Sequence, residues 1–118
     1  MNLTELFHHE TDLQTLPAGQ ILFNEGDEGE LMYVVMSGTL DIFVHGKLVE
    51  TAEAGAIVGE MVIVDENIRS ASVIAKTDCT LLPIGRMRFS FLTQETPHIA
   101  LHVIRVMADR LRRTDARL

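Results

Sequence analysis

A lone arginine in an acidic stretch is the first feature of this sequence that could do chemistry. Arg69 is the only arginine before Arg86, in a chain whose formal net charge is −7. Such a guanidinium suggests a specific anionic partner. Glu60 or Asp65 would supply an internal carboxylate, whereas a bound phosphate would accept bidentate hydrogen bonds from outside the chain. The residue types alone leave both alternatives open.

The residues between Glu60 and Arg69 add a second feature that suits an anion. Gly59 and Glu60 stand just before the apolar stretch 61–64, and Arg69 opens a predicted strand. The apolar stretch has the length of one helical turn, whose first N–H groups lack partners within the helix and attract negative charge. The segment therefore predicts, as one alternative, a binding site for a phosphate between this turn and Arg69.

The same residues resemble a known motif. Residues 59–61 (Gly-Glu-Met) and 69–71 (Arg-Ser-Ala) are similar to the phosphate-binding cassette of cyclic-nucleotide-binding domains, the sensors of the bacterial cAMP receptor and of cyclic-nucleotide-dependent kinases. Segments 16–27 and 33–38 resemble the family's opening strands and glycine turn, and 97–114 resembles the receptor's hinge helix. The resemblance implies a sensor that binds cAMP or cGMP reversibly and relays binding through its C-terminal helix.

The resemblance also implies a role for each cassette residue. Glu60 would accept a hydrogen bond from the ribose 2′-OH, and Arg69 would pair with the exocyclic phosphate. Gly59 would let the backbone approach the ligand closely. Thr114 matches a helix threonine that reaches the purine in the bacterial receptor. The rest of the phosphate cradle would consist of backbone N–H groups, those of Met61 and Val62 and of Ser70 or Ala71.

Three positions depart from the family pattern. Val62 stands where the family usually has alanine or glycine, Ile68 where it often has proline, and Asp115 where the bacterial receptor has serine. Valine is stiff at χ1, and its two methyl groups could crowd the phosphate cradle. Val62 therefore supports an alternative function, an interaction module that keeps the β-roll and has lost nucleotide binding.

The elements that must position these residues are predicted to form a single domain over residues 1–118. Residues 1–16 predict a short helix or turn, 17–85 a β-roll, and 86–118 C-terminal helices. Short apolar runs separated by glycine turns predict a mainly β, antiparallel β-roll of the jelly-roll type with flanking helices. The predicted strands are residues 21–23, 31–36, 40–44, 48–52, 70–75 and 80–84.

The C-terminal helix carries an apolar stripe with a four-residue period that would face the core. The stripe consists of Ile99, Val103, Met107 and Leu111, widened by Ala100 and Ile104. Leu101 and Val106 lie off it, so we expect either a homodimer or protein partner through this helix, or packing of both residues on the N-terminal helix. From residue 105 onward, five arginines stand against two acidic residues, which suits a helix C-terminus or an acidic partner.

Composition argues against several other classes of protein. The negative net charge opposes specific DNA binding, and no apolar run approaches the ~20 residues of a membrane span, so we expect a cytoplasmic chain without membrane contact. Cys79 is the only cysteine, which leaves no disulfide framework. There is no Walker-type loop or nucleophile elbow. We therefore expect no enzyme activity and no cofactor.

Three features of the sequence could suggest a metal site, and each has a plainer interpretation. His98 and His102 stand at i and i+4, a spacing that can bind metal, but no third ligand is evident. The acidic turn 25–30 lacks the spaced ligands of a calcium loop, so we interpret it as a solvated turn. A cupin-type enzyme would need about three metal ligands on facing strands, where the strand region offers only His45. We expect no resident metal.

Overall fold

Two four-stranded antiparallel sheets form the body of the molecule. The computed structural model describes residues 1–64 and 67–116, with the side chains of the last helix described as far as Arg113. Within this part of the chain the strands are β1 Gln14–Leu16, β2 Ile21–Phe23, β3 Met32–Ser37, β4 Leu40–Val44, β5 Lys47–Ala52, β6 Ile57–Val58, β7 Ser72–Ala75 and β8 Cys79–Ile84. One sheet has the order β1-β8-β3-β6 and the other β2-β7-β4-β5. The predicted antiparallel β-roll is confirmed.

The described helices flank the two sheets. They are α1 Leu3–Leu6, α2 Met61–Val64, α3 Arg86–Glu95 and α4 His98–Ala116. The short α2 lies between the two sheets in chain order, since it follows β6 of one sheet and precedes β7 of the other. Among the described residues, no helix combines the length and apolar character needed to cross a membrane.

Strand β3 is buried on both faces and so belongs to two cores. Its side chains alternate, because successive residues of a strand point to opposite faces. Tyr33 and Val35 pack in the core between the sheets, with Phe23 and Ile42 among their neighbours. The opposite face of β3 packs in a second core beneath α4. That second core consists of Leu3, Phe7, Met32, Val34, Ile57, Leu82, Ile84, Ile99 and Val103.

Local patterns located most strands correctly. β2 and β4 have the predicted bounds, and the turn between β4 and β5 has His45 at φ 50° and Gly46 at φ 77°. Two short strands were missed. β1 lies in the range predicted as helix or turn, and it exists because Gln14–Leu16 pairs with β8. β6 has two residues that pair with β3. Both pairings join distant parts of the chain, and no local pattern reports them.

The predicted apolar stripe of α4 is correct for Ile99, Val103 and Met107, the last of which packs against the second core, and wrong at its end. Ile99 and Val103 are buried in the second core, and Val106, predicted to lie off the stripe, packs against the same core. Leu111 is 64% exposed and Ile104 is 57% exposed. An α-helix has 3.6 residues per turn, so positions spaced by four residues shift gradually around its axis. Over the 19 residues of α4 this shift carries the last positions of the stripe away from the core.

Candidate functional site

Arg69 lies immediately before β7 with its side chain directed into the molecule. The residue is only 6% exposed, and its guanidinium carbon lies 4.0 Å from the centroid of the Phe23 ring. This stacking is a cation–π contact. The guanidinium atoms Nε and Nη1 are buried and have no hydrogen-bond partner among the residues that the structure describes. Buried N–H groups are nearly always paired, so two unpaired ones on a charged group mark a place where an acceptor is expected.

Burial of Arg69 has an electrostatic cost, which the described groups around it offset only in part. Burial lowers the pKa of Arg69, and Tyr33 and Asp27 oppose that shift. Burial likewise raises the pKa of Tyr33, against the influence of Arg69. Arginine nevertheless stays protonated in proteins. Within residues 1–64 and 67–113, no carboxylate forms an ion pair with this guanidinium, and Asp65, the other internal partner suggested by the sequence, lies outside the described residues.

A cavity of about 60 Å³ opens beside the guanidinium. It adjoins a wider depression of about 210 Å³ with apolar walls that include Ile42, Val44 and Val49. The two spaces share Ile42 and Arg110 on their linings. The cavity brings together seven of the eight predicted ligand-binding residues: Gly59, Glu60, Met61, Val62, Arg69, Ser70 and Ala71. The eighth is Thr114, whose side chain lies outside the part of the chain that the structure describes. Asp65, suggested above as a partner of Arg69, also lies outside it.

Gly59 has two reasons to be glycine. Its φ of 73° is a conformation that residues with a side chain rarely adopt. A Cβ atom added there would lie 2.6 Å from Nη1 of Arg69 and 3.2 Å from the carbonyl oxygen of Leu31. The predicted role, close approach of backbone to ligand, is therefore accompanied by a role within the chain, which is to leave room for the arginine.

Glu60 already has an ionic partner, and that partner is Arg110. Glu60 is 5% exposed, and its Oε1 accepts a hydrogen bond from Nη1 of Arg110. The alternative in which Glu60 neutralises Arg69 is therefore wrong. Arg110 also donates from Nε and Nη2 to the two carboxylate oxygens of Glu50, at 3.0 and 2.8 Å, and to the carbonyl oxygen of Ile57 at 2.7 Å.

These contacts tie α4 to the sheet that contains β5. Arg113 lies one turn after Arg110, and its Nη2 is 3.1 Å from Oε1 of Glu50. Burial would raise the pKa of Glu50, but the hydrogen bonds and charges of Arg110 and Arg113 outweigh it and hold that pKa below its ordinary value. The basic end of the helix, interpreted from sequence as a match to the helix dipole or an acidic partner, thus includes two arginines that serve an internal carboxylate.

Sequence reasoning missed Glu50, Arg110 and Phe23 as members of the site. Glu50 and Arg110 are 60 residues apart and Glu60 and Arg110 are 50 apart, so their meeting depends on where α4 crosses the sheets. The excess of arginine after residue 104 indicated that this end of the helix has ionic partners. The sequence did not show that these partners are Glu50 and Glu60 of the same chain.

The two departures within the cassette have different surroundings. Val62 is 1% exposed and lines the cavity, while its carbonyl oxygen accepts a hydrogen bond from Nε of Arg86 at 2.7 Å. The same arginine donates from Nη2 to Oδ1 of Asn67 at 3.0 Å. Ile68 is exposed and forms a β-bridge with Glu28. The turn before Arg69 is therefore held by pairing where the family often uses proline.

Comparison with known proteins adds an independent observation. The family model described as "Cyclic nucleotide-binding domain" matches residues 13–96. The cyclic AMP receptor protein of Thermus thermophilus is 34% identical over 107 residues, which cover 86% of this chain and 50% of that protein. The crystal structure of the Thermus thermophilus catabolite activator protein superposes with a TM-score of 0.80 at 30% identity, covering 95% of this chain and 60% of that one.

A larger relative shows how little of a protein this match can represent. The lysophospholipase NTE1 of Chaetomium globosum is 33% identical over 106 residues, which are 80% of this chain and only 7% of the enzyme. The chain thus spans a small fraction of that relative and about half of the bacterial receptor. A match to 7% of an enzyme carries none of its activity to this chain.

Proposed function

Because this chain belongs to the cyclic nucleotide-binding domain family, we propose that it is a sensor that binds cAMP or cGMP in the cavity beside Arg69 and relays binding through α4. The observation that carries the proposal is a buried guanidinium on the lining of a cavity, with two of its N–H groups unpaired among the described residues. A singly charged phosphodiester supplies a counter-ion and oxygen acceptors for a guanidinium.

The wider depression suits the remainder of the nucleotide. With the phosphate at Arg69, the ribose lies next to Glu60, and the base extends past Ser70 and Ala71 toward the apolar walls of the depression. The lining combines these apolar residues with Glu50, Ser70, Arg110 and Arg113, and small-molecule sites typically join apolar walls to polar groups that orient the ligand. Ser70 is available to either purine, so the proposal includes both nucleotides.

The relay depends on Arg110. A ribose hydroxyl that donates to Glu60 competes with Arg110 for the same carboxylate, and Arg110 also holds Glu50 and the carbonyl oxygen of Ile57. Binding therefore changes the set of contacts that fixes the end of α4 against the sheets. A ligand shifts a conformational equilibrium only through such differential contacts.

A second copy of the chain is the partner that α4 favours. Leu101, Ile104, Ala108 and Leu111 follow one another at spacings of three, four and three residues, and the three large ones are exposed. This is the heptad spacing of a helix that pairs with another. We expect sedimentation to show a weak dimer that Ile104→Lys abolishes, and a monomer at high micromolar concentration would contradict it.

A ligand-free interaction module is the second candidate, and two observations favour it. Val62 places its side chain on the cavity lining, and Glu60 is already paired. In that case Arg69 would contribute only its packing on Phe23.

Titration calorimetry with cAMP and with cGMP separates the two candidates. We expect a dissociation constant between submicromolar and ~100 μM, about −5 to −8 kcal/mol. Arg69→Ala should weaken binding by ~2–5 kcal/mol, because it removes charged hydrogen bonds in a desolvated site. Arg112→Ala is the matched control, since that side chain is 73% exposed and pairs with Asp109. Equal affinity of the wild type and Arg69→Ala, or no binding by a folded wild type, would exclude the sensor.

A further inference from the structure

The acidic turn at residues 25–30 is a scaffold for Arg69. Its backbone runs beside residues 67–69 and makes three hydrogen bonds with them. Gly26 N–H donates to the Arg69 carbonyl at 2.8 Å, Arg69 N–H donates to the Asp27 carbonyl at 2.7 Å, and Gly29 N–H donates to the Asn67 carbonyl at 2.7 Å. These bonds flank the bridge between Glu28 and Ile68. The turn interpreted from sequence as merely solvated therefore fixes the backbone of the arginine.

Gly29 also makes room for the side chain of Arg69. A Cβ atom added at Gly29 would lie 2.5 Å from both Cζ and Nη2 of Arg69, and closer still to Nε. No real Cβ is found at such distances, so the guanidinium would have to leave its position. The guanidinium thus lies in an arginine slot formed by Gly29, Gly59 and the ring of Phe23.

The backbone at Gly29 does not itself require glycine. The φ of Gly29 is not positive, whereas Gly26 and Gly59 have φ values of 89° and 73°. The φ of residue 29 is therefore open to alanine, and the three atoms nearest to an added Cβ all belong to the guanidinium. Substitution at this position is expected to act first on the arginine.

We propose that Gly29 is a positioning residue of the nucleotide site, which acts by holding the Arg69 guanidinium on Phe23 at the cavity where the phosphate binds. This inference rests on the proposed function. The guanidinium is the far end of a flexible side chain, so Gly29→Ala displaces it at little expense in stability. The displaced group loses its fixed orientation toward the cavity, and affinity depends on such preorganisation.

The test combines calorimetry with NMR of the ligand-free protein. Gly29→Ala should bind cAMP and cGMP about tenfold more weakly than the wild type, which corresponds to about 1.4 kcal/mol, with a nearly unchanged melting temperature. The Nε–H resonance of Arg69, identified by its loss in Arg69→Lys, should carry a ring-current shift from Phe23 that Gly29→Ala removes. Gly85→Ala is the matched control, because a Cβ there meets only a Leu31 methyl group at 3.6 Å.

The outcomes separate this inference from the proposed function. If the wild type binds neither nucleotide, the sensor fails, while the Nε–H shift still decides whether Gly29 positions Arg69. An unchanged shift, or a moved resonance with unchanged affinity, overturns the positioning role. Should Gly29→Ala not fold, Gly29→Ala with Arg69→Ala must restore folding, and failure of that double variant would show that the backbone needs glycine and would overturn the inference.

Discussion

The two charged residues predicted to hold the ligand are in opposite states. Arg69 is buried with unpaired N–H groups, whereas Glu60 is buried with its carboxylate occupied by Arg110. In the sensor that we propose, the phosphate side would therefore require only an anion, and the ribose side would exchange one partner for another. The first arrangement supports affinity, because nothing has to be displaced. The second supports signalling, because something does.

The largest effect should come from removing the partner of Glu60. Arg110→Met leaves a buried carboxylate without this cation, and breaking a buried pair in this way lowers the free energy of unfolding by about 3–5 kcal/mol. Chemical denaturation of the ligand-free protein measures the loss. Arg112→Met, at an exposed position, is the control and should change little. Equal stability of the two variants would mean that the ribose side is not held by Arg110.

Val62→Ala sharpens the comparison on the phosphate side. If the valine methyl groups crowd the cavity, their removal should raise nucleotide affinity by ~0.5–2 kcal/mol, on the scale of relieved overpacking. Calorimetry with both nucleotides measures the gain. Val103→Ala, equally buried but in the second core, should lower stability without changing affinity. Two folded proteins, wild type and Val62→Ala, that both ignore millimolar nucleotide would favour the interaction module.

The smallest effect concerns the acid limb of the stability profile. The pKa of Glu50 is lowered by Arg110 and Arg113, so its ionised form stabilises the fold above the ordinary pKa of a glutamate. That contribution is lost as pH falls through the lowered value. The wild type should therefore lose stability more steeply on acidification than Glu50→Gln. Glu53→Gln, at an exposed position, should follow the wild type, and parallel profiles for all three proteins would refute the pairing.

The cassette was predictable because its chemistry is contiguous. Gly59, Glu60 and Arg69 are close in sequence, and the resemblance carried their roles with their spacing. The pairing of Glu60 with Arg110 was not predictable, since it depends on the path of α4 across the sheets. Gly29 was hidden for a different reason. A side chain at position 29 would collide with Arg69, which is 40 residues further along the chain. From sequence alone, the glycine was explained by the need of a turn for flexible residues.

Arg86 connects Val62 of α2 with Asn67, two residues before Arg69. It donates to the carbonyl oxygen of Val62 on one side and to the side chain of Asn67 on the other, and it belongs to the first turn of α3. A single guanidinium on α3 therefore bridges α2 and the residues just before Arg69. Val62 and Asn67 keep their separation only while Arg86 stays in place.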